Sequence, residues 1–435
     1  MTRLIAALVW LVIAVNAWLL WVNFGSRSWH LAAAIATTYA ALWGLFFALS
    51  KLTRRKKLQR LLATTMMGLI LLGMFESVAL LNLLDYREVL GGLAHPNRRP
   101  WDNPNNDLDE ELLHIHRGNT THRGRVLGNI ARYFQLPDAQ YYDFDVAYDE
   151  RGFRNEQTLK QANIIVVGDS FVEGALVGND EIMTTQLESE ISHSVCNLGQ
   201  SAYGPQQELE VVTRFGLPLK PEYCIWLFYE GNDLIDAAQY DDKLKQWQEF
   251  MVQRDRFWNR SLTRNVLTTL PRVFATKEPR KELWKQVAEV NDETVYFMHT
   301  AREHTATDRI GFKKTVESIA KAAHLCKEAE VQLVFAFAPS KFRVYQPICK
   351  IPSESVCGNW QLNDLPDRFR KRLARTTYSV EFLDLTSPLR DAAKAGSNVY
   401  FADDTHWNPH GHQVVAKAIT ARLKKMAEAK ENRKP

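Results

Sequence analysis

Ser170 closes the string Asn163-Ile-Ile-Val-Val-Gly-Asp-Ser170, where a short apolar run stops and a helix-like stretch begins. A serine at the carboxyl end of a buried parallel strand, on the first turn of the next helix, has its hydroxyl held at the open edge of the sheet. Backbone N–H groups lie close by to receive an oxyanion. A hydroxyl is a weak nucleophile until a base takes its proton and an acid orients that base. The block Tyr400-Phe-Ala-Asp-Asp-Thr-His-Trp-Asn-Pro409 offers both. His406 is the candidate base, with Asp403 three residues before it and Asp404 two before, and either carboxylate could hold the imidazole N–H. Asn408-Pro409 then starts an apolar helix that would fix the block in place. Two more turns could supply oxyanion donors. Gly199, in Asn197-Leu-Gly-Gln-Ser-Ala-Tyr-Gly204, lets backbone approach a substrate oxygen, and Asn232, in Glu230-Gly-Asn-Asp233, carries a side-chain amide.

These residues need a frame. Five short apolar runs, 163–167, 194–197, 223–229, 332–337 and 379–383, alternate with longer helical or polar segments. Their length and their β-branched and aromatic content suit buried parallel strands, and the alternation predicts a three-layer α/β/α sheet. Such a sheet brings Ser170, Gly199 and Asn232 to one edge. The connection from 234 to about 308 is long, charged and Trp-containing, and reads either as a lid or substrate platform or as a pair of packing helices. Residues 85–160, rich in Asn, Asp, Arg and Pro, read as a lead-in that packs on the domain of 161–425 or links it to what precedes.

The first 84 residues have a different character. Residues 4–24 and 30–50 carry no charge and 61–84 carry only Glu76, each run close to the ~20 residues that cross a bilayer. The expectation is an anchor of three transmembrane helices. Lys51, Arg54, Arg55, Lys56, Lys57 and Arg60, between the second and third runs, place that loop and the N-terminus in the cytoplasm and the remainder outside it. Residues 1–60 hold eight Lys and Arg and no acid, so the net charge of +4 is a topology signal and points to no nucleic acid partner. Glu76 is expected near the outer interface, reaching water. Of five cysteines, Cys349 and Cys357 flank a polar loop that a disulfide could close. No Cys/His cluster has zinc spacing, so no metal is expected.

Gly168-Asp-Ser170, Gly199, Gly231-Asn-Asp233 and Asp403–His406 together resemble the four blocks of the SGNH (GDSL-like) hydrolase superfamily, in that family's chain order. The resemblance covers roughly 145–425. It implies a flavodoxin-like fold, no cofactor, and ester chemistry in which Ser170 attacks and His406 takes its proton. The oxyanion would lie among the Ser170 and Gly199 N–H groups and the Asn232 amide. Asp149-Glu-Arg-Gly-Phe-Arg-Asn155, Ala338-Pro-Ser-Lys-Phe-Arg-Val-Tyr345 and Asp404-Thr-His-Trp407 resemble membrane-tethered members, including relatives of the alginate O-acetylation proteins. One departure is that alginate-type proteins place their Asp-x-His pair before the serine. The usual Asp-x-x-His spacing selects Asp403, the Asp-x-His variant Asp404.

The functional expectation is an esterase or O-acyltransferase of the bacterial cytoplasmic membrane, its catalytic domain periplasmic, acting on acyl and first of all acetyl esters of a cell-surface glycan. A lipid esterase, or a polysaccharide assembly component without turnover, are the alternatives. Lys341 and Arg154 are candidates for binding the substrate, Lys341 through an anionic sugar carboxylate. Acyl transfer from a cytoplasmic donor would require a membrane acyltransferase partner.

Overall fold

All five apolar runs become strands of one parallel sheet: β1 (Ile164–Gly168), β2 (Val195–Gly199), β3 (Tyr223–Tyr229), β4 (Gln332–Ala338) and β5 (Glu381–Asp384), in the order β2-β1-β3-β4-β5. That order is the flavodoxin-like one, with its switch point between β1 and β3. Side chains alternate between two cores, as a period of two requires. Ile164, Val166, Ile225, Leu227, Val334 and Ala336 pack on one face. Ile165, Val167, Trp226, Phe228, Phe335 and Phe337 pack on the other. Both faces are therefore covered, which is why the strands read as unbroken apolar runs.

The computed structural model describes residues 28–94, 99–103, 105–273, 279–298 and 303–432. The chain divides into two units, 1–104 with 245–278, and 105–244 with 279–435. The sheet belongs to the second, and so does most of the lead-in. Residues 105–160 form two antiparallel hairpins, Asn106–Asp109 with Leu113–His116 and Thr121–Leu127 with Tyr141–Ala147, and the short helix α4 (Asn129–Phe134). This segment is folded structure of the second unit.

The first unit holds α1 (Ser28–Leu49), α2 (Arg54–Leu80) and α3 (Tyr86–Ala94). Among the described residues, α2 alone is long and apolar enough to cross a membrane. The apolar stretch within α1 is the shorter Thr37–Leu49. The expected first span, 4–24, lies outside the described residues. Leu69, Ile70, Met74 and Phe75 of α2 are exposed among the described residues.

The long connection is shared between the units. It starts with α6 (Asp233–Arg254), and its part in the first unit includes α7 (Leu262–Val273). Here the reading of Glu76 needs correction. Instead of only reaching water, its carboxylate accepts the Ser261 hydroxyl at 3.0 Å and the N–H and hydroxyl of Thr263 at 2.7 and 2.6 Å. A carboxylate at a helix N-terminus satisfies otherwise unbonded N–H groups and suits the helix dipole. The residues from Pro279 on return to the second unit and form a hairpin, Val287–Val290 with Glu293–Tyr296. No disulfide closes the loop between Cys349 and Cys357, which are free thiols with Cys357 buried. Backbone pairing of Lys350 with Glu289, and the Ser355 hydroxyl on the Lys285 and Val287 carbonyls, hold that loop instead.

Candidate active site

Asp169 ends the turn out of β1. Its carboxylate, fully buried, accepts the Phe171 N–H at 2.9 Å and so caps the single turn α5 (Ser170–Glu173). That cap points Ser170 across the sheet edge at His406, whose Nε2 lies 2.7 Å from Ser170 Oγ. His406 Nδ1 lies 2.6 Å from Asp404 Oδ1. Asp404 also accepts the His406 N–H at 2.8 Å and the Asn129 N–H at 2.5 Å. The Asp-x-His spacing is thus the one the structure uses. Asp403 takes no part in the relay, since its Oδ1 accepts the Tyr142 hydroxyl at 2.5 Å. Burial opposes charge on His406, yet the Asp404 carboxylate and its hydrogen bond outweigh it and raise the imidazole pKa. Burial likewise opposes charge on Asp404, and His406 with the Asn129 N–H outweighs it, so that carboxyl sits below the ordinary range.

The loop carrying the base is held from three sides. Asn408 caps α9 (Pro409–Glu431) through the Gly411 N–H at 2.9 Å. The Asn129 amide brackets Thr405, donating to its hydroxyl at 2.6 Å and accepting its N–H at 3.0 Å. Lys341, the first residue of α8 (Lys341–Tyr345), donates Nζ to the Phe401 and Ala402 carbonyls at 2.8 and 3.0 Å. Only 2% of Lys341 is exposed, and burial brings its pKa down to about 7 against the pull of Asp404 and Asp403. It is a brace under the base loop and offers no ammonium to a substrate.

Arg154 departs from expectation in the same way. It is 3% exposed, and its guanidinium donates to the carbonyls of Glu173, Gly174 and Val177 and to Asn179 Oδ1. Its five donors clamp the segment leaving α5, out of reach of a ligand.

The oxyanion side differs from the sequence expectation at one residue. The Gly199 N–H donates to Asn197 Oδ1 at 2.9 Å and is therefore committed. Its missing side chain has another use, since a Cβ there would stand 2.3 Å from the Glu173 nitrogen and 2.7 Å from the Val172 carbonyl carbon. Gly199 lets β2 approach the backbone of α5. Three residues on, exposed Ala202 holds φ at 68°, a left-handed conformation that residues other than glycine seldom adopt. Asn232 is near the nucleophile as expected. Its amide donates to Asp236 at 2.6 Å and also interacts with Asp169, the neighbour of Ser170.

Sequence reasoning missed Asn129, Tyr142 and Glu173. Glu173 Oε1 accepts the Tyr148 hydroxyl at 2.7 Å and faces His116 Nε2 at 3.1 Å, while Oε2 takes the Ser201 N–H at 2.5 Å. Burial would raise its pKa, but His116 and these donors hold it well below the usual carboxylate range. A glutamate three residues after the nucleophile in an apolar stretch was the available signal. Asn129 and Tyr142 lie in the lead-in, and nothing near them announces a role.

Residues 296–434 match the family model described as the SGNH hydrolase-like domain of the acetyltransferase AlgX. That stretch holds Lys341, Asp403, Asp404 and His406 and leaves out Ser170, Gly199 and Asn232. The chain is an SGNH superfamily member that resembles the alginate O-acetylation proteins. Two relatives named probable alginate O-acetylase AlgJ match it, from Azotobacter vinelandii at 34% identity over 96 residues and from Pseudomonas fluorescens at 32% over 94. Each alignment spans about a fifth of this chain and 22% of the relative. A G-D-S-L family protein from Desulfitobacterium hafniense DCB-2 aligns over 59% of this chain and 97% of its own, at 12% identity and a TM-score of 0.30. A likeness that low adds nothing to the topology described above.

Proposed function

We propose that this SGNH superfamily member is a membrane-anchored serine ester enzyme, active outside the cytoplasm, that moves acyl and first of all acetyl groups on a cell-surface glycan. The relay Ser170 Oγ–His406 Nε2–Asp404, at 2.7 and 2.6 Å, carries this reading. Ser170 attacks the ester carbonyl as His406 takes its proton, and Asp404 holds the imidazolium that forms. The carbonyl becomes a tetrahedral oxyanion, which collapses to acyl-Ser170 as His406 returns the proton to the leaving alcohol. Water then releases the acid in a hydrolase, or a sugar hydroxyl takes the acyl group in a transferase. In place of the Gly199 N–H, the oxyanion donors are the Ser170 N–H, the Asn232 amide and the N–H of Ala202. Strained backbone gathers at working sites, and no acceptor within the protein meets the Ala202 N–H among the described residues.

Support for a glycan acetyl ester comes from the two relatives named alginate O-acetylase and the family model named for an acetyltransferase. Support for the anchor comes from α2 and the basic cluster at its start. Turnover of an activated acetyl ester by the purified protein is the test. Ser170→Ala is expected to abolish it, and turnover at the wild-type rate in that variant would refute the nucleophile.

A further inference from the structure

Ala202, the oxyanion donor proposed above, sits in a loop whose other N–H groups are all bonded. Gln200 donates to the Gly168 carbonyl at 3.1 Å, Ser201 to Glu173 Oε2 at 2.5 Å, Tyr203 to the Gln200 carbonyl at 3.3 Å and Gly204 to Gln207 Oε1 at 3.3 Å. The strand Leu113–His116 runs beside this loop. The His116 N–H donates to Gln200 Oε1 at 3.2 Å, and the His114 carbonyl accepts the Tyr203 hydroxyl at 2.5 Å. The His114 ring stands edge-on to that of Tyr203, their centroids 5.2 Å apart.

Two side chains bear on the peptides either side of Ser201. A trans peptide is planar with its C=O and N–H opposed, so a bond that holds one end aims the other. Glu173 holds the Ser201 N–H, and with it the peptide from Gln200. The Ser201 carbonyl, in one plane with the Ala202 N–H, lies 3.3 Å from His114 Nε2. Burial brings the His114 pKa down to about 3, so the ring is neutral and carries one proton. A carbonyl only accepts, which puts that proton on Nε2. The other nitrogen, Nδ1, is buried without a partner among the described residues. A bond accepted at the carbonyl also polarises the peptide and strengthens its N–H as a donor.

Glu173 is itself fixed. It ends α5, one turn from Ser170, and the Tyr148 hydroxyl and His116 Nε2 hold its Oε1 at 2.7 and 3.1 Å. One buried carboxylate thus joins the nucleophile's turn, the lead-in and the loop after β2. We infer that Glu173 and His114 are positioning residues of the oxyanion site, Glu173 fixing the peptide before Ser201 and His114 the peptide after it, so that the Ala202 N–H is aimed before substrate arrives. The inference rests on the serine ester reading above.

The test uses the full chain in detergent. Turnover of p-nitrophenyl acetate is measured beside inhibition by an aryl trifluoromethyl ketone, whose carbonyl carbon takes Ser170 Oγ as the hydroxyl proton passes to His406 and the charge settles on the ketone oxygen. In Glu173→Ala, kcat/KM should fall about 10²-fold, through kcat, and ketone affinity should weaken by a similar factor. Glu173→Gln keeps an acceptor for the Ser201 N–H and should stay within about tenfold of the wild type. His114→Phe keeps a ring against Tyr203 and removes an unpartnered nitrogen, so it should fold and carry the test should Glu173→Ala not fold. Its kcat/KM and ketone affinity should fall together by about tenfold or more, with the pH midpoint of turnover unmoved. Ketone affinity unchanged in either folded variant, or kcat/KM within about threefold of the wild type in both, overturns the inference and leaves the ester chemistry standing. A wild type inert to ester and ketone alike refutes the ester reading and this inference with it.

Discussion

His406 works as a base only when neutral, and Asp404 raises its pKa. The protonated form therefore persists above the ordinary histidine value of about 6.5, and turnover should climb with pH through a midpoint above it to an alkaline plateau. Asp404→Asn removes the charge that holds the imidazolium. The midpoint should move to lower pH while kcat falls by as much as ~10⁴-fold. Asp403→Asn, which touches Tyr142 and not the imidazole, should leave the midpoint in place and cost less than about tenfold. A pH–rate profile of the three proteins distinguishes the two acids, and a larger effect at Asp403 would reverse the assignment. Lys341→Met should withdraw both bonds under the base loop. Because Lys341 meets no substrate in this account, kcat should fall by about 10²-fold with KM little changed. A rise in KM at constant kcat would restore the substrate-binding role.

Each part of the relay hangs on an element that exists for packing reasons. β2 reaches α5 only because position 199 has no side chain. Gly199→Ala should lower stability by about 1–3 kcal/mol, read as a drop in the urea midpoint. A variant as stable as the wild type would mean that the contact is not tight. The strands, Ser170 and the Asp/His block were legible in the sequence because each is a local signal, an apolar run, a turn string or a cap. Three things were not. Asp403 and Asp404 differ by one position, and only the fold, through Tyr142 and Asn129, decides which carboxylate faces the ring. Lys341 and Arg154 look like ligand cations because a sequence does not reveal that nearby carbonyls bind them. The segment 105–160 is tied to the rest of its unit through long-range bonds from Asn129, Tyr142, His116 and Tyr148, which leave no periodic trace. A chain beginning at residue 161 should accordingly lose most ester turnover. Wild-type kcat in that truncated protein would show the lead-in to be dispensable.

At the scale of the whole molecule, an apolar helix with a basic start precedes an α/β unit that holds the Ser170–His406–Asp404 relay. In the proposed topology the basic start of that helix stays in the cytoplasm and Ser170 lies outside it. In cells whose outer layers have been opened, external protease should degrade the α/β unit while the cytoplasmic membrane is intact. Protection until detergent is added would invert the topology. The chemistry itself has a more direct readout. The purified wild-type protein, treated with a fluorophosphonate and analysed by peptide mass spectrometry, should carry the adduct on Ser170, with labelling slowed at least about 10²-fold in His406→Ala. Labelling of a different serine, or labelling of Ser170 at an unchanged rate without His406, would contradict the account.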